Sequence, residues 1–227
     1  MNIKPILIAN SLLIALMLAL SAWTWQIIPE GAQVPVHWNL EGVADRFGSK
    51  GEALLLMPVF AVILTIVMVL LPRLEPRRRN LESSSKLWNA GAIGAVALLA
   101  YVHALLLVAA TGRQIEIFDY LLPAISALFI VLGNYMSKTR SNWFAGVRTP
   151  WTMSSDYSWS KTHQLASKLF MGTGVATVLA WLVLGAKIAM IVMAGTLVVT
   201  AIISIVASYL YWKNDPGRAQ TPVNGEA

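Results

Sequence analysis

Long apolar runs alternate along this chain with short polar and basic ones, and each run has the length a bilayer demands, roughly 20 residues of helix. Six can be read, near Pro5–Ile28, Ala53–Leu71, Leu87–Ala110, Phe118–Met136, Leu165–Ala186 and Ile188–Trp212, the last two joined by a tight turn at Gly185-Ala186-Lys187. The pattern predicts an all-α integral membrane protein with six transmembrane helices. Two loops between the spans are patterned strongly enough to predict structure of their own. In the outer one, 29–52, Val34, Val36, Trp38 and Leu40 alternate with Gln33, Pro35, His37, Asn39 and Glu41 until Gly42 breaks the period. That alternation belongs to an extended segment, expected here as a short strand-like or re-entrant element. Ser49-Lys50-Gly51-Glu52 then has the spacing of a capping box directly before the second span.

The inner loop, 137–164, carries Trp143, Trp151 and Trp159 at even spacing. Three large rings in one loop predict that it packs against something. Pro150 biases Thr149 away from helix, and Ser154 or Ser155 is placed to cap a helix that begins near Asp156 and continues into the fifth span. On that helix Trp159, His163 and Ala166 share a face, and its first two turns are expected at headgroup level, where tryptophan is favoured.

Composition strengthens the membrane reading: 57% of residues are hydrophobic and 12% charged, about half the charged share of a soluble domain. Charge sets the orientation. With the N-terminus inside, the inner face collects Lys4, Arg73, Arg77, Arg78, Arg79, Lys86, Lys138, Arg140, Arg148, Lys161, Lys168, Lys213 and Arg218, which is 13 of the 17 basic residues. Only Arg46, Lys50, Arg113 and Lys187 fall outside, so both termini are expected to be cytoplasmic. The net charge of +6 is then mostly this bias. Direct nucleic-acid binding is not expected, because the basic residues sit in short juxtamembrane loops. The first apolar run imitates a signal peptide around Ala19-Leu20-Ser21, but it continues through Trp23 and Trp25 to Ile28 and reads as a retained span. The absence of cysteine rules out disulfides, zinc-thiolate sites and thiol nucleophiles.

The organisation expected is a two-span unit at 1–72, a basic cytoplasmic loop at 73–86, a four-span unit at 87–212 and a disordered tail at 213–227. The basic loop, with two prolines and a triple arginine, reads as an orientation signal that touches anionic headgroups of the lipid bilayer.

Few residues offer chemistry. His37, Glu41 and Asp45 are spaced to align only on a helix, which Pro35 and the alternation oppose. A histidine bonded within the outer loop is therefore expected rather than a metal ligand, beside a second reading in which it contacts an extracellular peptide. His103 lies inside the third span, where ionisable groups face other helices or a cavity. It is either bonded across helices or part of a functional polar site. Asn10 and Asn134 are expected as interhelical polar contacts. Arg148 has three candidate partners, the Trp151 ring, Asp156 and lipid phosphate. Its role is either to hold the loop to the helix ends or to dock a partner. No zincin, nucleophile-elbow or P-loop motif occurs, so neither an enzyme nor a cofactor or metal is expected.

Two blocks carry a family resemblance. The outer Val34-Pro35-Val36-His37-Trp38-Asn39, with Gly42, Asp45, Lys50 and Pro58, resembles a small bacterial membrane domain of unknown function. The inner Gly133, Asn134, Lys138, Asn142 and Gly146-Val147-Arg148-Thr149-Pro150-Trp151, with Trp159 and His163, resembles the signature of the SdpI family. The resemblance implies a multi-pass protein of the bacterial inner or plasma membrane. It further implies immunity to a secreted peptide toxin met on the outer face, and a cytoplasmic transcriptional repressor held on the inner one. Two alternatives stand beside it: a small transporter with His103 and Asn134 lining a polar path, and an assembly protein whose aromatic loop docks another membrane protein.

Overall fold

A computed structural model describes residues 1–218 of the chain. Among them, six helices are long and apolar enough to cross a membrane: α1 (Lys4–Ile27), α2 (Lys50–Leu70), α4 (Ser85–Ala110), α5 (Ile117–Met136), α7 (Asp156–Leu184) and α8 (Ala186–Lys213). Two short helices, α3 (Arg78–Ser83) and α6 (Pro150–Ser154), lie in the inner loops, and a 3-10 turn, Leu71–Leu74, ends the second span.

The helix ends follow from local chemistry. Pro5 stands in the first turn of α1, where its missing N–H has no helical partner to lose. Ser49 caps α2 by accepting the Glu52 N–H at 3.2 Å, but the expected capping box closes only by half. The Glu52 carboxylate turns instead to Arg46, at 2.6 Å, because a guanidinium outcompetes one backbone amide. Helix α7 begins at Asp156, with Ser155 accepting the Ser158 N–H at 2.9 Å. This is the start expected from its cap, and its polar first turns precede the apolar run that begins near Leu165. Between α7 and α8 the expected three-residue turn shrinks to Gly185, whose φ of +81° suits glycine.

The spans pack three and three. Helices α1, α2 and α4 contact one another, as do α5, α7 and α8, and the α4–α5 contact joins the trios. The third span, expected with the C-terminal four, thus packs chiefly on the first two. In the second trio the backbones come close through small residues, as membrane helices do in the absence of a hydrophobic drive between them. A Cβ on Gly133 would stand 2.9 Å from the Ser167 carbonyl oxygen, and one on Gly174 2.6 Å from that of Ser126. The Ser167 hydroxyl donates to the Gly133 carbonyl at 2.6 Å.

On the outer face, β1 (Val34–Trp38) pairs antiparallel with β2 (Ala44–Gly48), with Val34 opposite Gly48 and Trp38 opposite Ala44. The extended reading is right for β1, whereas Leu40 and Glu41 lie in the turn. There the Asn39 carboxamide oxygen accepts the Glu41 and Val43 N–H groups and Gly42 takes φ +80°. The segment is a hairpin laid on the helix ends, not a re-entrant element, and is the one departure from all-α among the described residues. Val34, 2% exposed, fastens it into a cluster with Ile28, Ala53, Leu54 and Leu107. At the other end, Asp215 accepts the Ser155 hydroxyl at 2.5 Å and Arg218 stacks on Trp212. The remainder of the tail expected to be disordered, 219–227, lies outside the described residues.

Candidate functional site

The inner block is built one residue at a time. Asn142, fully buried, uses its whole carboxamide on the backbone. Its oxygen accepts Phe144 and Ala145 N–H at 3.0 and 2.7 Å, and its nitrogen donates to the Arg140 and Ala145 carbonyls. Gly146 follows at φ +121°, and a Cβ there would fall on His163 Nε2. Without one, the ring reaches the Val147 N–H at 2.9 Å. His163 Nδ1 lies 2.7 Å from the Trp159 carbonyl. Since a carbonyl only accepts, Nδ1 carries the proton and Nε2 the lone pair, which makes the imidazole neutral with both nitrogens committed. The ring stacks on Trp159 at 4.0 Å, and the Trp159 indole donates to the Thr139 carbonyl.

Thr149, Pro150 and Thr152 form a capping box over α6, with Thr149 accepting the Thr152 N–H and Thr152 the Thr149 N–H. The Thr149 hydroxyl also donates to Ser208 of α8 at 2.9 Å, and Trp151 packs edge-on against Tyr209 at 5.3 Å. The short helix α6 was not expected, although Thr-Pro-Trp-Thr carries its cap and its first-position proline.

The basic loop is the other half of this structure. Glu75, 3% exposed, accepts the Trp143 N–H through Oε2 and the Arg77 N–H through Oε1, both at 2.9 Å. The Arg77 guanidinium reaches the Ser141 hydroxyl and the Met153 carbonyl, and Asn80 donates to the Ser141 carbonyl at 2.7 Å. Ser84 accepts the Arg140 N–H, and Trp88 meets Phe144 edge-on. Beyond the orientation signal expected of it, the loop clasps 139–153. Arg73, Arg78 and Arg79 stay exposed, while Arg77 turns inward.

Several expectations change accordingly. The three tryptophans do not share a role: Trp159 is buried in the protein at 1% exposed, Trp151 is half-buried, and Trp143 is 52% exposed. Arg148 meets neither Trp151 nor Asp156. Its Nη1 donates to the Trp143 carbonyl at 2.5 Å, closing the loop on itself. Lys138 is exposed, as is Asn134, which makes no interhelical bond.

Inside the first trio a polar chain starts from Pro58. Lacking an N–H, this proline frees the carbonyl one turn back, that of Leu54, and the Ser21 hydroxyl donates to it at 2.7 Å. His103 Nε2 lies 2.9 Å from that same Ser21 oxygen and 3.3 Å from the Met17 carbonyl. With the Ser21 proton already given, the histidine must donate, so Nε2 carries its hydrogen. Pro58, Ser21 and His103 thereby tie α2, α1 and α4 together. Asn10 adds a bond to Thr65 at 3.1 Å, as expected. His103 and Asn134 do not line one path: His103 is enclosed by the first trio and Asn134 faces outward on α5.

In the hairpin, His37 Nδ1 meets Asp45 at 2.6 Å in the open, and Glu41 stands apart in the turn. Lys50, 8% exposed, pairs with Glu30 at 2.9 Å and lies over the Trp25 ring. Between the hairpin, at Pro35, Trp38 and Phe47, and the 111–116 turn lies a cleft of about 540 Å³.

Six spans under a docked outer hairpin, above an inner block clasped by the preceding loop, make this a multi-pass membrane protein. Residues 138–208 match the SdpI/YfhL protein family and residues 12–62 match a domain of unknown function, DUF1648; the chain's place is the bacterial plasma membrane. It is similar to the "Immunity protein SdpI" of Bacillus subtilis (strain 168), at 23% identity over 209 residues, covering 91% of this chain and 95% of that protein. No solved structure matches it.

Proposed function

We propose that this protein protects a bacterial cell against a secreted, membrane-active peptide met on the outer face. The observation that carries the reading is the similarity to an immunity protein along nearly the whole of both chains, taking in the outer hairpin, Pro58 and the inner block together. An outer cleft walled by a fastened hairpin suits interception, since a preorganised surface loses little entropy on binding. The inner block is the output surface in this reading. Exposed Trp143, held by Glu75 and Arg148 through its backbone, offers an aromatic anchor among basic residues, and a cytoplasmic repressor docks there.

The test is a strain lacking the gene, complemented with the chain or an empty vector and challenged with membrane-active peptides secreted by the organism and its neighbours. Survival restored by the chain for one of them is the expected result; equal killing throughout overturns the reading. For the output, a fluorescently tagged repressor encoded beside the gene is expected to move to the membrane on exposure, and Trp143→Ala to prevent this without loss of protection.

A further inference from the structure

The outer cleft does not end at the hairpin. Below it, a groove of about 510 Å³ runs between the outer ends of α1 and α4, lined by Leu20, Trp23, Ala104, Leu107 and Val108. Arg113 lines both cavities and stands where they meet. Both volumes fall in the range of ligand sites. From Ala104 to Thr111 the groove follows two turns of α4, about 10 Å, most of one leaflet of a hydrocarbon core roughly 30 Å thick.

Charge gives this place a direction. Of the outer basic residues, Arg46 is neutralised by Glu52 and Lys50 by Glu30, whereas Arg113 and Lys187 are exposed and make no salt bridge among the described residues, and of these two Arg113 lines the cavities. The end of α4 presents it: the Gly112 N–H closes on the Ala109 carbonyl and Gly112 takes φ +84°, so the chain leaves the helix at the junction of the two cavities. A free cation at the mouth of an apolar groove selects an amphiphile with an anionic end. The cleft above it adds apolar surface that a lipid headgroup does not use, with Val43 61% and Phe47 53% exposed on the hairpin.

We propose that the joined groove and cleft bind an apolar peptide helix that lies against α1 and α4 and sets a carboxylate on Arg113, with the residues beyond it on the hairpin. This names the ligand chemistry of the interception reading above and rests on it.

The chain has no cysteine, so Trp23→Cys places a single environment-sensitive dye in the groove. The full chain in phosphatidylcholine nanodiscs is titrated with a synthetic apolar peptide of about 20 residues, blocked at both ends and bearing one glutamate followed by a short apolar segment, and with its glutamine (amide) twin. The acid is expected to shift the dye at a concentration at least tenfold lower than the amide. Arg113→Gln removes that difference, exposed Val108→Trp blocks the groove and abolishes both responses, and Lys187→Gln changes neither. Equal responses to acid and amide, no response to either, or an equal response to phosphatidylglycerol without peptide each overturn the proposal. The killing assay separates the two readings. If the chain fails to protect while the dye difference holds, interception falls and the site stands; if it protects and Arg113→Gln and Val108→Trp protect as well, the site falls.

Discussion

Gly146 sits at φ +121°, a conformation that residues with side chains adopt only under strain, with its α-carbon against the one imidazole that satisfies Val147. Gly146→Ala meets both obstacles at once and is expected to lower the unfolding midpoint in detergent more than any alanine substitution at an exposed loop position. His163→Phe keeps the stack on Trp159 but orphans the Val147 N–H, a loss of about 1–3 kcal/mol read in the same unfolding experiment. The Ser21 node makes a sharper test. Ser21→Ala leaves the Leu54 carbonyl unpaired, at about 1 kcal/mol for a buried membrane hydrogen bond. Pro58→Ala returns an N–H to that carbonyl, so Ser21→Ala is expected to be less damaging in the Pro58→Ala background. Strict additivity in this double-mutant cycle would show that the serine is not there to repair the proline's gap.

At the scale of elements, the inner block and the loop before α4 stabilise each other across the sequence. Glu75 and Trp143 are 68 residues apart, and their bond joins the two halves of the chain on the cytoplasmic face. Removing the carboxylate with Glu75→Ala frees two backbone amides. Amide exchange across 139–147 is expected to speed up in that variant while the centres of α5 and α7 keep their protection; unchanged exchange would mean that the clasp is redundant. Reading the sequence locates both partners but not their contact. A triple arginine beside prolines has the composition of a solvated loop, and nothing local marks Arg77 as the one that turns inward or Glu75 as buried. By contrast the caps of α2 and α7, at Ser49 and Ser155, and the β1 strand were legible, because each rests on side chains within a few residues of the backbone they serve.

For the whole molecule, the charge asymmetry and the packing make separate predictions. In the cysteine-free background, Arg46→Cys is expected to react with a membrane-impermeant maleimide on intact cells, and Arg79→Cys only after permeabilisation; the reverse labelling would invert the topology and place the groove at Arg113 on the inner side. Six spans, their order and their orientation follow from the sequence by itself, because hydrophobic length and basic residues act on the bilayer segment by segment and need no knowledge of neighbours. The grouping of spans three and three, the clasp of Glu75 on Trp143, the exposure of Asn134 and the meeting of two cavities at Arg113 were decided only by the tertiary structure. In lipid every face of an apolar helix is equally comfortable, so which face meets which helix depends on the small residues at Gly133 and Gly174 and on a few hydrogen bonds such as Ser21 to Leu54. Those choices are made between distant segments, where periodicity along one segment carries no record of them.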